Sequence, residues 1–384
     1  MRNRTTVLVG GVLATAVALS PMVATAAAKK VVKKVSSSAT TLKGVCPDKI
    51  VIQTDWFPEA EHGALYEMIG APYTVDTNKK TVSGPLIASK GVKTGIQIEI
   101  RTGGPAIGFQ GPSAVMATDS GITMGYSYNG EANTWDKTPL ISVVAPLEKN
   151  PQMIMWDPAT YPTAKTVDDL AKLGVKFNLF SKETLRFFIA DGRVDEKLAE
   201  PSYDGSPARC IAEKGKIAQQ GFASAEPYSY QNEFKEWGKP VAYQLLSDAS
   251  DKYQDYSQTI GVRPGDLAKL RPCLKKFVPI VQQAVVDYIA APDRANAIIV
   301  DAVAQFKDFW KYSKDIADYS VKTQKEIGLV GNGPDKTVGN FDFVRLQKYL
   351  DAMVKTGGFK GIPAGFDIKS QYTNEFINPK IGFK

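Results

Sequence analysis

The densest group of chemically able side chains is the run Asp55-Trp56-Phe57-Pro58-Glu59-Ala60-Glu61-His62. Trp56 offers a flat face for stacking, and Asp55, Glu59 and His62 offer hydrogen bonds to a polar edge. The same residues also suit a structural role, with Trp56 and Phe57 in a core, the acids at a helix start and His62 packed in its first turn. Three further runs carry similar chemistry: Ser127-Tyr128-Asn129; Phe180-Ser181-Lys182-Glu183-Thr184, where Ser181 suits an N-cap; and Ala225-Glu226-Pro227-Tyr228. Four such runs together describe a pocket for a flat polar molecule better than any one of them alone.

Catalytic chemistry finds less support. The chain has one histidine, His62, which excludes any site built on two imidazoles, the HExxH zinc pattern among them. A Ser-His-Asp triad would have to use His62, and no GxSxG elbow is present. GGPAIG at 103–108 lacks the Lys and Ser/Thr of a phosphate-binding loop, and GxGxxG is absent. Cys46, Cys210 and Cys273 lack the paired spacing of a metal site. Glu59 and Glu226 could form a glycosidase pair, but acidic pairs arise readily by chance. The residues point to no cofactor and no metal.

The candidate groups follow short apolar runs that read as strands. Ile50-Val51-Ile52-Gln53-Thr54 is one, and Pro58 with Glu59 and Glu61 then suits a helix start that runs to Ile69. Ile96, Ile98 and Ile100 alternate with polar residues as in a half-buried strand. Further strands are expected at 122–126, 140–145, 152–156, 175–180, 216–224, 241–246 and 258–262. The last third is helical: Phe277, Ile280, Val281, Ala284, Val285 and Tyr288 share one helix face, a second helix starts at Pro292-Asp293, and a third covers Phe341 to Val354. Alternating strands and helices imply an α/β fold with mostly parallel sheets, in which ligands sit beyond the carboxyl ends of strands.

The 384 residues are 43% apolar and 23% charged, an ordinary globular composition. Seven of the 47 Lys+Arg and none of the 40 Asp+Glu lie in the first 43 residues, so the rest of the chain sums to zero. The basic character is therefore terminal, and a nucleic-acid-binding face is not expected. Residues 1–28 read as a secretory signal: Arg2 and Arg4, an apolar stretch from Val7 to Leu19, then Ala24-Thr25-Ala26 or Ala26-Ala27-Ala28 for cleavage. The stretch falls short of the ~20 apolar residues of a membrane span, and Lys-Gly-Val before Cys46 does not suit a lipid anchor. Residues 29–43 read as a basic, Ser/Thr-rich linker. Export permits disulfides, and three cysteines allow three alternative single pairings.

The run IVIQTDWFPEAEHGALY resembles the opening of the solute-binding proteins of ABC importers, in the branch handling thiamine-pyrimidine precursors, riboflavin, sulfonates and nitrate. In that branch the first strand ends in a D-W-x-P-x-x-x-H-x-x-x-Y segment, matched here by Asp55, Trp56, Pro58, His62 and Tyr66. PLEKNPQMIMWDP with TVDDL, GFASAEPYSY and VGNGPDKTVGNFD continue the resemblance over most of residues 46–377. It implies the two-lobed periplasmic-binding-protein fold (type II), with a ligand cleft between lobes that close on a hinge. Lobe 1 would comprise 44–150 and 250–384, and lobe 2 would comprise 151–249. Asp55, Trp56, Glu59, His62 and Tyr126 would line lobe 1, facing Phe180, Ser181, Glu226 and Tyr228 from lobe 2. Cys46 would pair with Cys273, leaving Cys210 free.

The implied function is non-catalytic: a monomer outside the membrane that captures an aminopyrimidine- or flavin-like heterocycle and delivers it to a permease. A sulfonate, taurine or nitrate ligand is the alternative, with Arg101 or Arg186 as its cation. A pyrimidine-synthase-like enzyme on the same fold is a further one, against which stand the export signal and the scattered cysteines. A secreted hydrolase has no recognisable nucleophile. Residues 71–95 read as an inserted polar hairpin able to alter the cleft mouth.

Overall fold

A computed structural model of the chain describes residues 40–128, 136–359, 362 and 365–384. The expected signal peptide, most of the linker and Asn129 lie outside the described residues. Among those described, no helix is long and apolar enough to cross a membrane.

The strands are β1 (Lys49–Gln53), β2 (Thr74–Asp76), β3 (Thr81–Ala88), β4 (Val92–Arg101), β5 (Met124–Ser127), β6 (Ile141–Val144), β7 (Gln152–Trp156), β8 (Phe177–Leu179), β9 (Ala199–Pro201), β10 (Ala218–Phe222), β11 (Ala242–Leu245) and β12 (Thr259–Val262). They form a seven-stranded sheet, β2-β3-β4-β1-β5-β12-β6, and a five-stranded sheet, β11-β7-β10-β8-β9. β1 is buried from Ile50 onward between parallel neighbours β4 and β5, which is why its sequence is a continuous apolar run. β4 keeps the alternation of Ile96, Ile98 and Ile100 inward, with Gln97 exposed between them.

The sheets are mixed rather than mostly parallel. β12 returns antiparallel between β5 and β6, and β7 pairs antiparallel with β10 and β11. The 71–95 segment builds the hairpin β2–β3 on the antiparallel edge of β4, so its backbone hydrogen bonds extend the first sheet. The helix expected from Pro58 begins later, as a 3-10 turn at Ala60–His62 that runs into α1 (Gly63–Glu67). Glu59 is extended, and the Tyr312 hydroxyl accepts the Ala60 N–H at 2.9 Å, so residues 55–59 remain irregular.

The remaining helices are α2 (Pro112–Thr118), α3 (Val167–Lys172), α4 (Arg186–Ala190), α5 (Ala208–Ala212), α6 (Glu226–Asn232), α7 (Pro264–Ala290), α8 (Asp293–Phe306), α9 (Lys314–Glu326) and α10 (Phe343–Thr356). α7, α8 and α9 bury Phe277, Ile299 and Val321 against the first sheet. The helical tail, expected as a whole in lobe 1, is divided. Leu346, Leu350 and Met353 of α10 join the core of the second sheet, with Phe177 and Phe188. The chain then returns to the first sheet, where Gln371 O accepts the Ser142 N–H at 2.8 Å. α10 is amphipathic and buries its apolar stripe, Leu346, Tyr349, Leu350 and Met353, in the second sheet's core. Cys46, just before β1, and Cys273 on α7 form a disulfide across 227 residues, and Cys210 is buried and free.

Candidate functional site

A cleft of about 380 Å³ opens between the two sheets, beyond the ends of β1, β5, β8 and β10. Asp55, Trp56, Glu59, Phe180, Ser181 and Glu226 of the expected residues line it. Glu59 is 2% exposed, although it lies on an irregular segment.

The aromatic wall centres on Trp56. Its ring meets Phe180 edge-on at 5.2 Å and Trp310 at 5.8 Å, and Phe180 packs on Tyr203 at 4.5 Å. Phe180 and Tyr203 belong to the second sheet's side, so the rings span the cleft. Two glycines admit the indole. A Cβ on Gly104 (φ +58°) or on Gly205 (φ +90°) would come within 2.7 Å of the Trp56 ring, and both backbones are left-handed.

The polar floor is a network around Asp55. His62 Nε2 lies 2.9 Å from Asp55 Oδ1, and the Gln258 amide donates to Asp55 Oδ2 at 3.0 Å. The Tyr128 hydroxyl donates to Asp55 Oδ2 as well. Asp55, Glu59 and His62 bring one ligand atom each within 4.8 Å of one another, a grouping that could hold a metal ion. Behind them Glu61, buried, accepts from the hydroxyls of Ser224 and Ser320. Across the cleft Glu226 Oε2 accepts the Phe222 N–H at 2.7 Å, and the Tyr203 hydroxyl lies 3.5 Å from Oε1. Ser181 caps the turn Lys182–Leu185 by accepting the Glu183 N–H at 3.0 Å.

Burial raises the pKa of the three glutamates of the cleft and its floor above the ordinary value. Burial raises Glu59 well above it, and Glu61, Asp55 and Glu226 push the same way. Burial also pushes Glu226 up to about 7. None of the described residues lining the cleft is Lys or Arg.

Three expected residues do not line the cleft. His62 is fully buried behind Asp55, holding the carboxylate rather than facing the opening. Tyr126 is fully buried beside the His62 ring, at 5.2 Å. The residue that reaches the cleft is Tyr128, two positions on and on the same face of the chain. Tyr228 packs on Tyr319 at 5.3 Å instead. It follows Glu226 by two helical positions, which turns it through about 200°.

Tyr203, Phe109, Trp310 and Gln258 were not anticipated. Tyr203 follows the three-residue β9, Phe109 follows the GGPAIG turn, and Trp310 follows α8. The Gly-rich turn was the one local signal, since close backbone approach is what it permits. No residue of the 71–95 segment lines the cleft.

No family model matches the chain, and no curated protein matches it in sequence. Solved structures do match in fold. A protein from Bordetella bronchiseptica RB50 superposes with TM-score 0.55 at 12% identity, covering 86% of this chain and 96% of that one. The alkanesulfonate-binding protein SsuA from Xanthomonas axonopodis pv. citri, bound to MOPS, gives 0.52 at 13%, covering 85% and 98%. The ligand-binding component of an ABC-type import system from Staphylococcus aureus, with zinc bound, gives 0.51 at 14%, covering 85% and 100%. At these identities the likeness establishes the fold: two mixed sheets flanked by helices, the periplasmic-binding-protein architecture.

Proposed function

We propose that the chain is the extracytoplasmic solute-binding component of an ABC importer, capturing a small, flat, polar heterocycle between its lobes for delivery to a membrane permease. The observation that carries this is the cleft itself, with stacking faces from both sheets around buried carboxyls. Its volume of about 380 Å³ suits a small molecule. The lobes would follow the sheets, with α10 counted in lobe 2. Trp56, Phe180 and Tyr203 would form an aromatic wall for the ring to pack on, and Asp55, Glu59 and Glu226 would accept hydrogen bonds from its edge. His62 and Gln258 would hold Asp55 in place. Export of the protein and its permease partner belong to the same reading, supported by the import component and the sulfonate-binding protein among the structural matches.

The anion alternative finds no Lys or Arg among the described residues that line the cleft. Arg101 is bonded to Glu99 at 2.8 Å and to Asp119 at 2.7 Å, and Arg186 pairs with Glu183 and covers the Phe359 ring. A thermal-shift screen of the whole chain against aminopyrimidines, flavins, sulfonates, nitrate and amino acids tests the reading, because a ligand of the native state raises the melting temperature. A heterocycle is expected to give the shift, and Trp56→Ala and Glu226→Gln are each expected to weaken its affinity at least about tenfold. A shift from sulfonate or nitrate alone would assign the cleft to anions. Unchanged affinity in both variants would remove the site.

A further inference from the structure

The cleft gathers carboxyls, and among the described residues that line it no Lys or Arg stands to balance them. Glu59 is 2% exposed, and its Oε1 has no hydrogen-bond partner, the His62 Nε2 atom standing 3.4 Å away and bonded to Asp55 instead. Glu226 faces it from the other sheet, Asp55 and Glu61 stand beside it, and the described lining residues include neither Lys nor Arg. An unpaired buried carboxylate is costly, so such a group is matched by a proton or by a cation. The other walls are aromatic faces, whose quadrupole attracts positive charge and repels negative charge.

Resting on the capture reading above, we propose that the cargo is a planar organic cation, stacked among Trp56, Phe180 and Tyr203 with its positive nitrogen set against Glu59 and Glu226. A bare divalent ion is the competing occupant, since Asp55, Glu59 and His62 cluster within 4.8 Å. Hydrogen bonding decides against it. Asp55 Oδ1 and His62 Nε2 are spent on each other, and Asp55 Oδ2 is taken by Tyr128 and Gln258. Of the potential ligand atoms on these three residues, Glu59 Oε1 and His62 Nδ1 are without a hydrogen bond, whereas a metal site needs three or four ligands. Nor would a metal ion use the stacking faces.

Burial opposes the ionisation of Glu59 and of Glu226 in the empty cleft. The titratable groups around Glu59 are Asp55, Glu61, Glu226, His62, Tyr66, Tyr126 and Tyr312. The acids among them oppose its ionisation. Entry of a cation therefore lets a carboxyl ionise: one positive charge enters, and a proton leaves to solvent.

Matched ring pairs test this on the whole chain: 1-methylnicotinamide against nicotinamide, N-methylquinolinium against quinoline, and thiamine against its neutral aminopyrimidine half. At least one cation is expected to bind about tenfold or more tighter than its neutral partner. Calorimetry at pH 7 in phosphate and in Tris should show proton release on binding. Glu59→Gln should reduce both the preference and the release, with Glu226→Gln as the second variant if the first fails to fold. Neutral partners binding as tightly as cations would overturn the proposal and leave the capture reading standing. So would a melting shift from Zn²⁺ or Mn²⁺ alone, abolished by Glu59→Gln, with no response to any organic cation. No response to any member of this set or of the wider screen would overturn the capture reading itself.

Discussion

Two regions of this molecule bury carboxylates, and they treat them in opposite ways. Near the second core Arg345 donates to Glu148 Oε1 at 2.8 Å, to the carbonyls of Glu148 and Asp255, and lies over the Tyr256 ring at 4.0 Å. Asn150 donates to Asp255 Oδ2 at 2.8 Å. Burial still pushes Glu148 up to about 7, but Arg345 pulls against it. In the cleft burial raises Glu59, and Glu61, Asp55 and Glu226 raise it further. One cluster is completed by its own chain. The other, on the capture reading proposed above, is completed by protons or by a ligand.

That contrast can be broken by mutation. Arg345→Met should cost the most, about 4 kcal/mol in urea unfolding at pH 8, because it strands Glu148. Adding Glu148→Gln to the same chain should recover much of the loss. The pH dependence of Glu226 comes next. Its folded pKa near 7 stands above its unfolded value near 4.5, so the folded state holds the proton longer. Its contribution is fully present below pH 4.5, falls as pH rises to 7 and is flat above, a loss of roughly 3 kcal/mol. Melting temperatures of the empty protein from pH 4.5 to 8 should fall across that window, and less steeply in Glu226→Gln.

A smaller effect of the opposite sign to Arg345→Met is expected from Glu59→Gln. Replacing a carboxyl whose ionisation the fold opposes should stabilise the empty protein at pH 8 by about 1 kcal/mol. A destabilisation comparable to that of Arg345→Met would erase the distinction between the two regions. Tyr228→Phe, outside the cleft, should change stability by less than about 0.5 kcal/mol and leave binding alone.

Much of the fold was legible because periodicity is local. The alternation at Ile96, Ile98 and Ile100 reads directly as a strand, and the stripe of α7 as a helix buried on one face. The 71–95 hairpin was legible but not the bounds of β2 and β3, and β9 was not legible, since its residues earn strand geometry only from a neighbour already in place. The site was legible where chemistry is concentrated, as between Asp55 and His62, and wherever a polar residue follows an apolar run, as at Ser181 and Glu226. Tyr126 was assigned one pleat short of Tyr128. A strand pattern shows which face a residue takes, but not how far along that face the opening lies.

The sequence by itself determined the α/β alternation, the elements that end at the cleft and the store of acids and rings near those ends. Each of these is a property of neighbours in the chain. Which acids would go unpaired was decided only by the tertiary structure. Gln258 and Tyr128 reach Asp55 from 203 and 73 residues away, Arg345 reaches Glu148 across 197, and no cation reaches Glu59 among the lining residues. Charge balance is a three-dimensional sum, and a chain whose body is neutral overall can still gather acids in one pocket without a Lys or Arg among its described lining residues.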